Sequence, residues 1–320
     1  MKVFVTRLIP ENGIRMMEAA GAQVTQWLEK RELTEEELIG HCQNYDALMS
    51  VGPNKIDSVF LNACRHLKVV SLMSVGYDNV DVPAALALNI PIGNTPGVLS
   101  GATADLAFLL MLAASRKAFF HHKRIPSGAW GFIEPTADLG IELTGKTLGI
   151  YGLGKIGFEM AKRCVGAYDM KIIYHNRGIN MEAEQRWNAK RVSFDELLFQ
   201  SDVLSVHTSL TAETMGIFNK SAFSKMKRSS IFINTARGGV HHEKDLTEAI
   251  QQRIIWGAGL DVTNPEPMHP DNPLLSIPEV AVLPHIGSAT METRNEMARL
   301  ASENIIAGLN GRPLPYRVTL

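Results

Sequence analysis

Residues Gly152-Leu153-Gly154-Lys155-Ile156-Gly157 follow the apolar run Thr147-Leu148-Gly149-Ile150-Tyr151 and open a stretch of helical spacing that reaches Ala167. Few six-residue patterns in such a setting constrain a fold as tightly. The first glycine permits a tight turn after a strand, the second lets phosphates approach the backbone, and the third lets the helix pack on the strand. A second strand-like run, Lys171-Ile172-Ile173-Tyr174, completes a strand-helix-strand unit. The pattern alone is weak, but in this context it predicts a dinucleotide site. Gly152, Leu153, Gly154, Lys155, Ile156 and Gly157 are expected to wrap a pyrophosphate at the helix N-terminus.

The second run ends in His175-Asn176-Arg177, where a site for NAD(H) usually carries an acid on the ribose 2′-hydroxyl. A carboxylate would repel a 2′-phosphate, whereas Arg offers it a planar fork of donors. NADP(H) is therefore expected to be preferred, with NAD(H) possible, Arg177 as the main discriminator and Asn176 beside it. A solvated Arg at a strand end is the plainer alternative.

Composition narrows the remaining classes. At 320 residues, 45% hydrophobic and 20% charged, the chain has room for two ordinary domains with full cores. A net charge of −1 makes no electrostatic case for nucleic acid or an anionic membrane surface, so a small-molecule partner is expected. The longest apolar stretch, 106–114, is too short to span a bilayer. The opening residues read as a strand, not a signal peptide, and a cytoplasmic protein is expected. Cys42, Cys64 and Cys164 are odd in number and widely spaced, which suggests neither a disulfide framework nor a zinc site. The pairs His121-His122 and His241-His242 are adjacent residues and so poor joint ligands. They are expected at the surface, and no metal is expected.

Strand-like runs at 3–6, 22–27, 47–51, 69–74 and 90–93 alternate with helical patterns at 12–20, 34–40 and 83–88. Such alternation means parallel sheet with helices on both faces. Thr34, followed three residues on by Glu37, marks one helix start as a capping box. A long helix is predicted from about 100 to 120. The Pro- and Gly-rich segment 125–140 reads as a long loop or arm. A second series comes next, with strands at 147–151, 203–208, 231–235, 257–262 and 280–284, and a final helix at 291–309 is expected to return to the first domain. The predicted fold is α/β with two doubly wound parallel-sheet domains. Residues 99–287 would form a Rossmann cofactor domain, and residues 1–98 with 288–320 a discontinuous, flavodoxin-like substrate domain.

In open α/β sheets, ligands bind outside the carboxyl ends of the strands. The predicted strand 231–235 delivers Arg237, 257–262 delivers Glu266, and 280–284 delivers His285. These types suit reduction of a 2-oxo acid, in which the cofactor supplies hydride and the protein holds a carboxylate, polarises a carbonyl and gives a proton. Arg237 can grip carboxylate and carbonyl oxygen. His285 is the proton carrier, since imidazole titrates nearest working pH, and Glu266 within hydrogen-bond reach would favour the imidazolium. Singly, each has a bland reading as a structural ion pair, a turn residue or a capped polar group. Together beside a dinucleotide fingerprint they point to catalysis.

The chain resembles the D-isomer-specific 2-hydroxyacid dehydrogenase family. The resemblance is carried by Leu153-Gly154-Lys155-Ile156-Gly157, Asn234-Thr235-Ala236-Arg237-Gly238, Leu260-Asp261-Val262 with Glu266-Pro267, and Pro284-His285-Ile286-Gly287-Ser288-Ala289-Thr290. Ser74-Val75-Gly76-Tyr77-Asp78, Asn94-Thr95-Pro96-Gly97 and Ala102-Thr103-Ala104-Asp105 agree with it. It implies a catalytic trio of Arg237, Glu266 and His285, with the backbone of Val75 and Gly76 binding the substrate carboxylate. It further implies a cofactor lining of Thr103, Thr208, Ala236, Asp261 and Gly287, and a homodimer in which the arm around 130–139 reaches the partner. Met49 and Ser288 are expected at the substrate. Within the family, the segment 74–81 together with Asn176-Arg177 most resembles glyoxylate/hydroxypyruvate and 2-ketogluconate reductases. Departures are Lys155 where Arg is commoner, Phe132 where Trp is frequent, and His241-His242 where small or apolar residues are usual. Two other readings stay open: a dinucleotide-sensing co-repressor on the same fold, and an NAD-linked hydroxyacid dehydrogenase working oxidatively.

Overall fold

The runs at 47–50 and 69–72 are buried at every position, as a parallel strand covered by helices on both faces must be. The computed structural model describes residues 1–132 and 134–319. Ile133, inside the expected arm, and Leu320 lie outside the described residues. The chain divides into two units, one of Met1–Leu99 with Ser288–Leu320 and one of Ser100–Gly287. The break falls where a helix begins.

In the first unit, β1 (Lys2–Val5), β2 (Gln23–Gln26), β3 (Ala47–Ser50), β4 (Val69–Leu72) and β5 (Ile92–Gly93) form one sheet in the order β2-β1-β3-β4-β5. Every pairing is parallel, and the order is that of flavodoxin-like sheets. The connecting helices are α1 (Glu11–Ala19), α2 (Glu35–Cys42), α3 (Ser58–Ala63) and α4 (Val82–Ala87). Thr34 and Glu37 close the capping box of α2 reciprocally. The C-terminal helix, Met291–Leu309, belongs to this unit. Ser302 Oγ donates to the Gly13 carbonyl at 3.0 Å, and Asn304 Nδ2 to the Asn94 carbonyl at 3.1 Å.

The second unit opens with α5 (Ser100–Ser115) and α6 (Ala118–Arg124). In place of the single helix expected to reach about 120, the chain breaks at Lys117, with φ of 52°. The reason is tertiary. The Ser115 carbonyl accepts from Ile141 N–H at 2.9 Å, and the Ala114 carbonyl from Trp256 Nε1 at 3.3 Å, so the last carbonyls of α5 find partners outside the helix. No helix or strand is assigned to the described residues of 125–140.

Thereafter come β6 (Thr147–Tyr151), α7 (Lys155–Tyr168), β7 (Lys171–His175), α8 (Met181–Trp187), β8 (Lys190–Arg191), α9 (Phe194–Gln200) and β9 (Val203–Val206). They are followed by α10 (Lys220–Ser224), β10 (Ile231–Asn234), α11 (Glu243–Gln251), β11 (Gly257–Leu260) and β12 (Val280–Val282). The seven strands run parallel in the order β12-β11-β10-β9-β6-β7-β8. Strand order reverses between β6 and β9, the switch point at which such sheets bind dinucleotides. One face is packed by Leu110, Leu148, Ile150, Met160 and Cys164, and the other by Leu204, Phe218, Phe232 and Leu246.

Candidate active site

The loop after β6 is held by close approach. Gly152 has φ of 97°, and a Cβ there would stand 2.7 Å from the His207 carbonyl oxygen behind β9. A side chain would therefore meet backbone in a conformation that only glycine adopts at little cost. Gly154 is the N-cap of α7 and offers no side-chain acceptor. A Cβ on it would find nothing within 4 Å. Open space in front of helix N–H groups is the cradle that a pyrophosphate fits.

Asn176 has a more definite task than its expected place beside the ribose. Its Oδ1 accepts from Leu153 N–H at 2.6 Å, and its Nδ2 donates to the Leu153 carbonyl at 3.2 Å. Asn180 Nδ2 donates to that carbonyl at 3.1 Å. The Asn176 carboxamide thus clamps the glycine loop to the end of β7, and of the pair only Arg177 is exposed. Arg191, on β8, donates through Nε to the Asn176 carbonyl at 3.0 Å and through Nη2 to the Arg177 carbonyl at 2.8 Å. This second guanidinium leaves no mark in the sequence pattern, because β8 has two residues, both charged, and shows no periodicity. Lys155 opens α7, Ile156 is half-buried, Leu153 is buried and Thr208 follows β9.

β10, β11 and β12 are neighbours, so their carboxyl ends deliver Arg237, Glu266 and His285 along one sheet edge. Gly238 is what lets the segment after β11 lie against the Arg237 turn. A Cβ at 238 would overlap the Thr263 carbonyl and stand 2.9 Å from Asn264 N. Glu266 Oε1 meets His285 Nδ1 within hydrogen-bonding distance, which leaves Nε2 as the ring nitrogen able to face a substrate. Burial alone would raise the Glu266 carboxyl, but the hydrogen bond and charge of His285, a Thr263 backbone hydrogen bond and the charge of Arg237 outweigh it and hold it below its ordinary range. Arg237 Nη1 donates to the Ala236 carbonyl at 2.8 Å.

His285 has φ of 54°, a left-handed conformation that a non-glycine residue keeps only when its surroundings enforce it. Asp261 enforces it. The Asp261 carbonyl accepts from His285 N–H at 2.9 Å, Oδ1 from Ile286 N–H at 2.8 Å and Oδ2 from Gly287 N–H at 2.8 Å. Burial pushes the Asp261 carboxyl upward, and the two N–H donors and His285 only partly offset this. Gly287 is buried next to Thr103, whose Cγ2 would lie 3.3 Å from an added Cβ. Ala236 N–H donates to Asn234 Oδ1 at 2.9 Å.

In the first unit, Ser74 Oγ donates to the Gly76 carbonyl at 2.7 Å and Asn94 Nδ2 to the Val75 carbonyl at 2.9 Å. Since a peptide is planar, fixing the Val75 carbonyl also fixes the Gly76 N–H. Ser288, half-buried, begins the returning segment of this unit. Met49, expected at the substrate, is 0% exposed within β3 and is part of the core. His241, expected at the surface, is likewise buried, whereas His242 is exposed on its side chain.

Residues 108–287 match the family model described as D-isomer specific 2-hydroxyacid dehydrogenase, NAD binding domain. The chain belongs to that family, whose members interconvert 2-oxo and 2-hydroxy acids with a nicotinamide dinucleotide. It is 41% identical over 321 residues to a glyoxylate reductase of Thermococcus litoralis, covering 99% of this chain and 96% of the relative. It is 39% identical to the human glyoxylate reductase/hydroxypyruvate reductase, covering 100% of this chain and 98% of that one. Among solved structures, the TT0316 protein of Thermus thermophilus superposes with a TM-score of 0.93 at 38% identity, with full coverage of both chains.

Proposed function

We propose that the chain is an NADPH-preferring reductase of short 2-oxo acids, glyoxylate first, with hydroxypyruvate and 2-ketogluconate as further candidates, giving the D-2-hydroxy acid. The observation that carries this reading is the Glu266–His285 pair on the same sheet edge as Arg237. The bound nicotinamide supplies hydride. Arg237 holds the carboxylate and draws electron density toward the carbonyl oxygen, and His285 Nε2 gives that oxygen its proton. Glu266 holds the imidazolium through Nδ1. By the family resemblance, the Val75 and Gly76 peptides, whose carbonyls are tied by Asn94 and Ser74, are proposed as carboxylate-binding groups. Likeness to named glyoxylate reductases over the full chain supports the substrate class.

Preference for NADPH is supported by exposed Arg177 next to Arg191, with no acid at the end of β7. The same reading makes the protein a cytoplasmic homodimer. Trp130 and Phe132, 75% and 91% exposed, suit an arm covered by a second copy, and three buried free cysteines suit a reducing compartment. The test is the initial rate with NADPH and with NADH against each of the three acids, for the parent and for Arg177→Ala. The variant is expected to lose about 1.5–3 kcal/mol of NADPH binding, the range for hydrogen bonds to charged groups, with NADH unchanged. Equal loss with both cofactors would overturn the role of Arg177. Tight dinucleotide binding without turnover of any acid would favour a sensing protein.

A further inference from the structure

His241 is 1% exposed and stands four residues beyond Arg237, after the 3-10 turn Gly238–Val240. Its ring packs edge-on against Phe232, 5.6 Å between centroids. Its Nδ1 lies 3.1 Å from Asn234 Nδ2, which also donates to the Arg237 carbonyl at 2.9 Å. The orientation of the Asn234 amide is not free. Its oxygen must face the Ala236 N–H, 2.9 Å away, and its nitrogen must face the Arg237 carbonyl. Nδ1 of His241 therefore meets an N–H and has to be an unprotonated acceptor, with the ring proton on Nε2. Asn234 itself is 0% exposed, and among the described residues its second amide hydrogen meets only His241.

We propose that His241 is a positioning residue for Arg237: its Nδ1 completes the set of partners that locks the Asn234 carboxamide, and that carboxamide sets the turn presenting the Arg237 guanidinium. Burial, then the neighbouring His242, holds the imidazole titration down at about 4, so the acceptor form persists at working pH. This inference rests on the reading that Arg237 holds the substrate carboxylate. A small or apolar residue at 241 would leave the Asn234 amide one partner short.

The experiment compares two substitutions in the full-length protein. His241→Leu fills the space beside Phe232 but has no acceptor, whereas His241→Asn can place Oδ1 where Nδ1 was while packing poorly. His241→Leu is expected to raise the KM for glyoxylate about tenfold with NADPH affinity unchanged. His241→Asn is expected to lower the melting temperature yet return KM to within about threefold of the parent. If His241→Leu fails to fold, His241→Val asks the same question with a β-branched residue suited to the extended backbone at 241, which forms an isolated parallel bridge with Phe218. A folded apolar variant with unchanged KM, or His241→Asn raising KM as much as His241→Leu, would overturn the proposal. Arg237→Lys separates the two levels: if it leaves KM and kcat unaltered, the role of Arg237 fails, whatever His241 does.

Discussion

The carboxyl ends of β10, β11 and β12 present three ionisable side chains, whereas the turn after β4 in the other unit presents peptide groups, tied by Ser74 and Asn94. Both sheets are parallel and both are covered by helices, so architecture does not distinguish them. The difference lies in how each strand end is braced. An anion can be held by oriented peptide N–H groups, which need only their carbonyls fixed. Proton transfer needs a side chain at a set place, and His285 is braced by Asp261 on its backbone and Glu266 on its ring. On the proposed reading, function would follow the bracing and not the layers.

The comparison breaks most visibly at His285. His285→Asn is expected to lower kcat by about 10²- to 10⁴-fold, the usual contribution of a positioned acid or base, while dinucleotide binding measured by fluorescence titration stays near the parent. A loss below tenfold would mean that proton delivery lies elsewhere. Glu266→Gln removes the charge facing Nδ1 and should cost roughly ten- to a hundredfold in kcat, as for a hydrogen bond between charged groups.

The same substitution gives a signature in stability. The Glu266 carboxyl titrates below its ordinary value of 4.5, so folding favours the carboxylate. That contribution is complete above pH 4.5 and is lost as pH falls through the lowered folded value. Melting temperatures of parent and Glu266→Gln, measured from pH 7 downward, should therefore converge only below pH 4.5. A constant gap across that window would dissociate the pair from stability. The smallest effect belongs to the other unit. Ser74→Ala removes one neutral hydrogen bond, about 1 kcal/mol, and is expected to raise the KM for glyoxylate about fivefold with kcat nearly unchanged. A fall in kcat instead would erase the contrast between the two kinds of strand end.

The alternation of the chain could be read because parallel strands buried on both faces are short apolar runs, and the glycine loop because its spacing is tied to a strand and a helix. The three strand-end residues were legible for the same reason: placing a strand also places the residues at its carboxyl end. What sequence could not reveal is how polar side chains are committed. Asn176 is spent on Leu153, which lies 23 residues earlier. Arg191 reaches back to Asn176 and Arg177 from a strand too short to show a pattern. His241 looked like half of a surface pair because burial depends on the turn beyond Arg237. The early end of α5 was hidden too, since Ile141 and Trp256 capture its last carbonyls from distant sequence.

That capture has a consequence for how this protein could vary. Ser115 and Ile141 are joined at the base of the arm, so the segment between them is a closed loop whose two ends meet outside its own sequence. For a loop so closed, the entropy of closure grows only with the logarithm of its length, about 0.6 kcal/mol for each doubling. By that measure, residues gained or lost between them change the closure term only slightly.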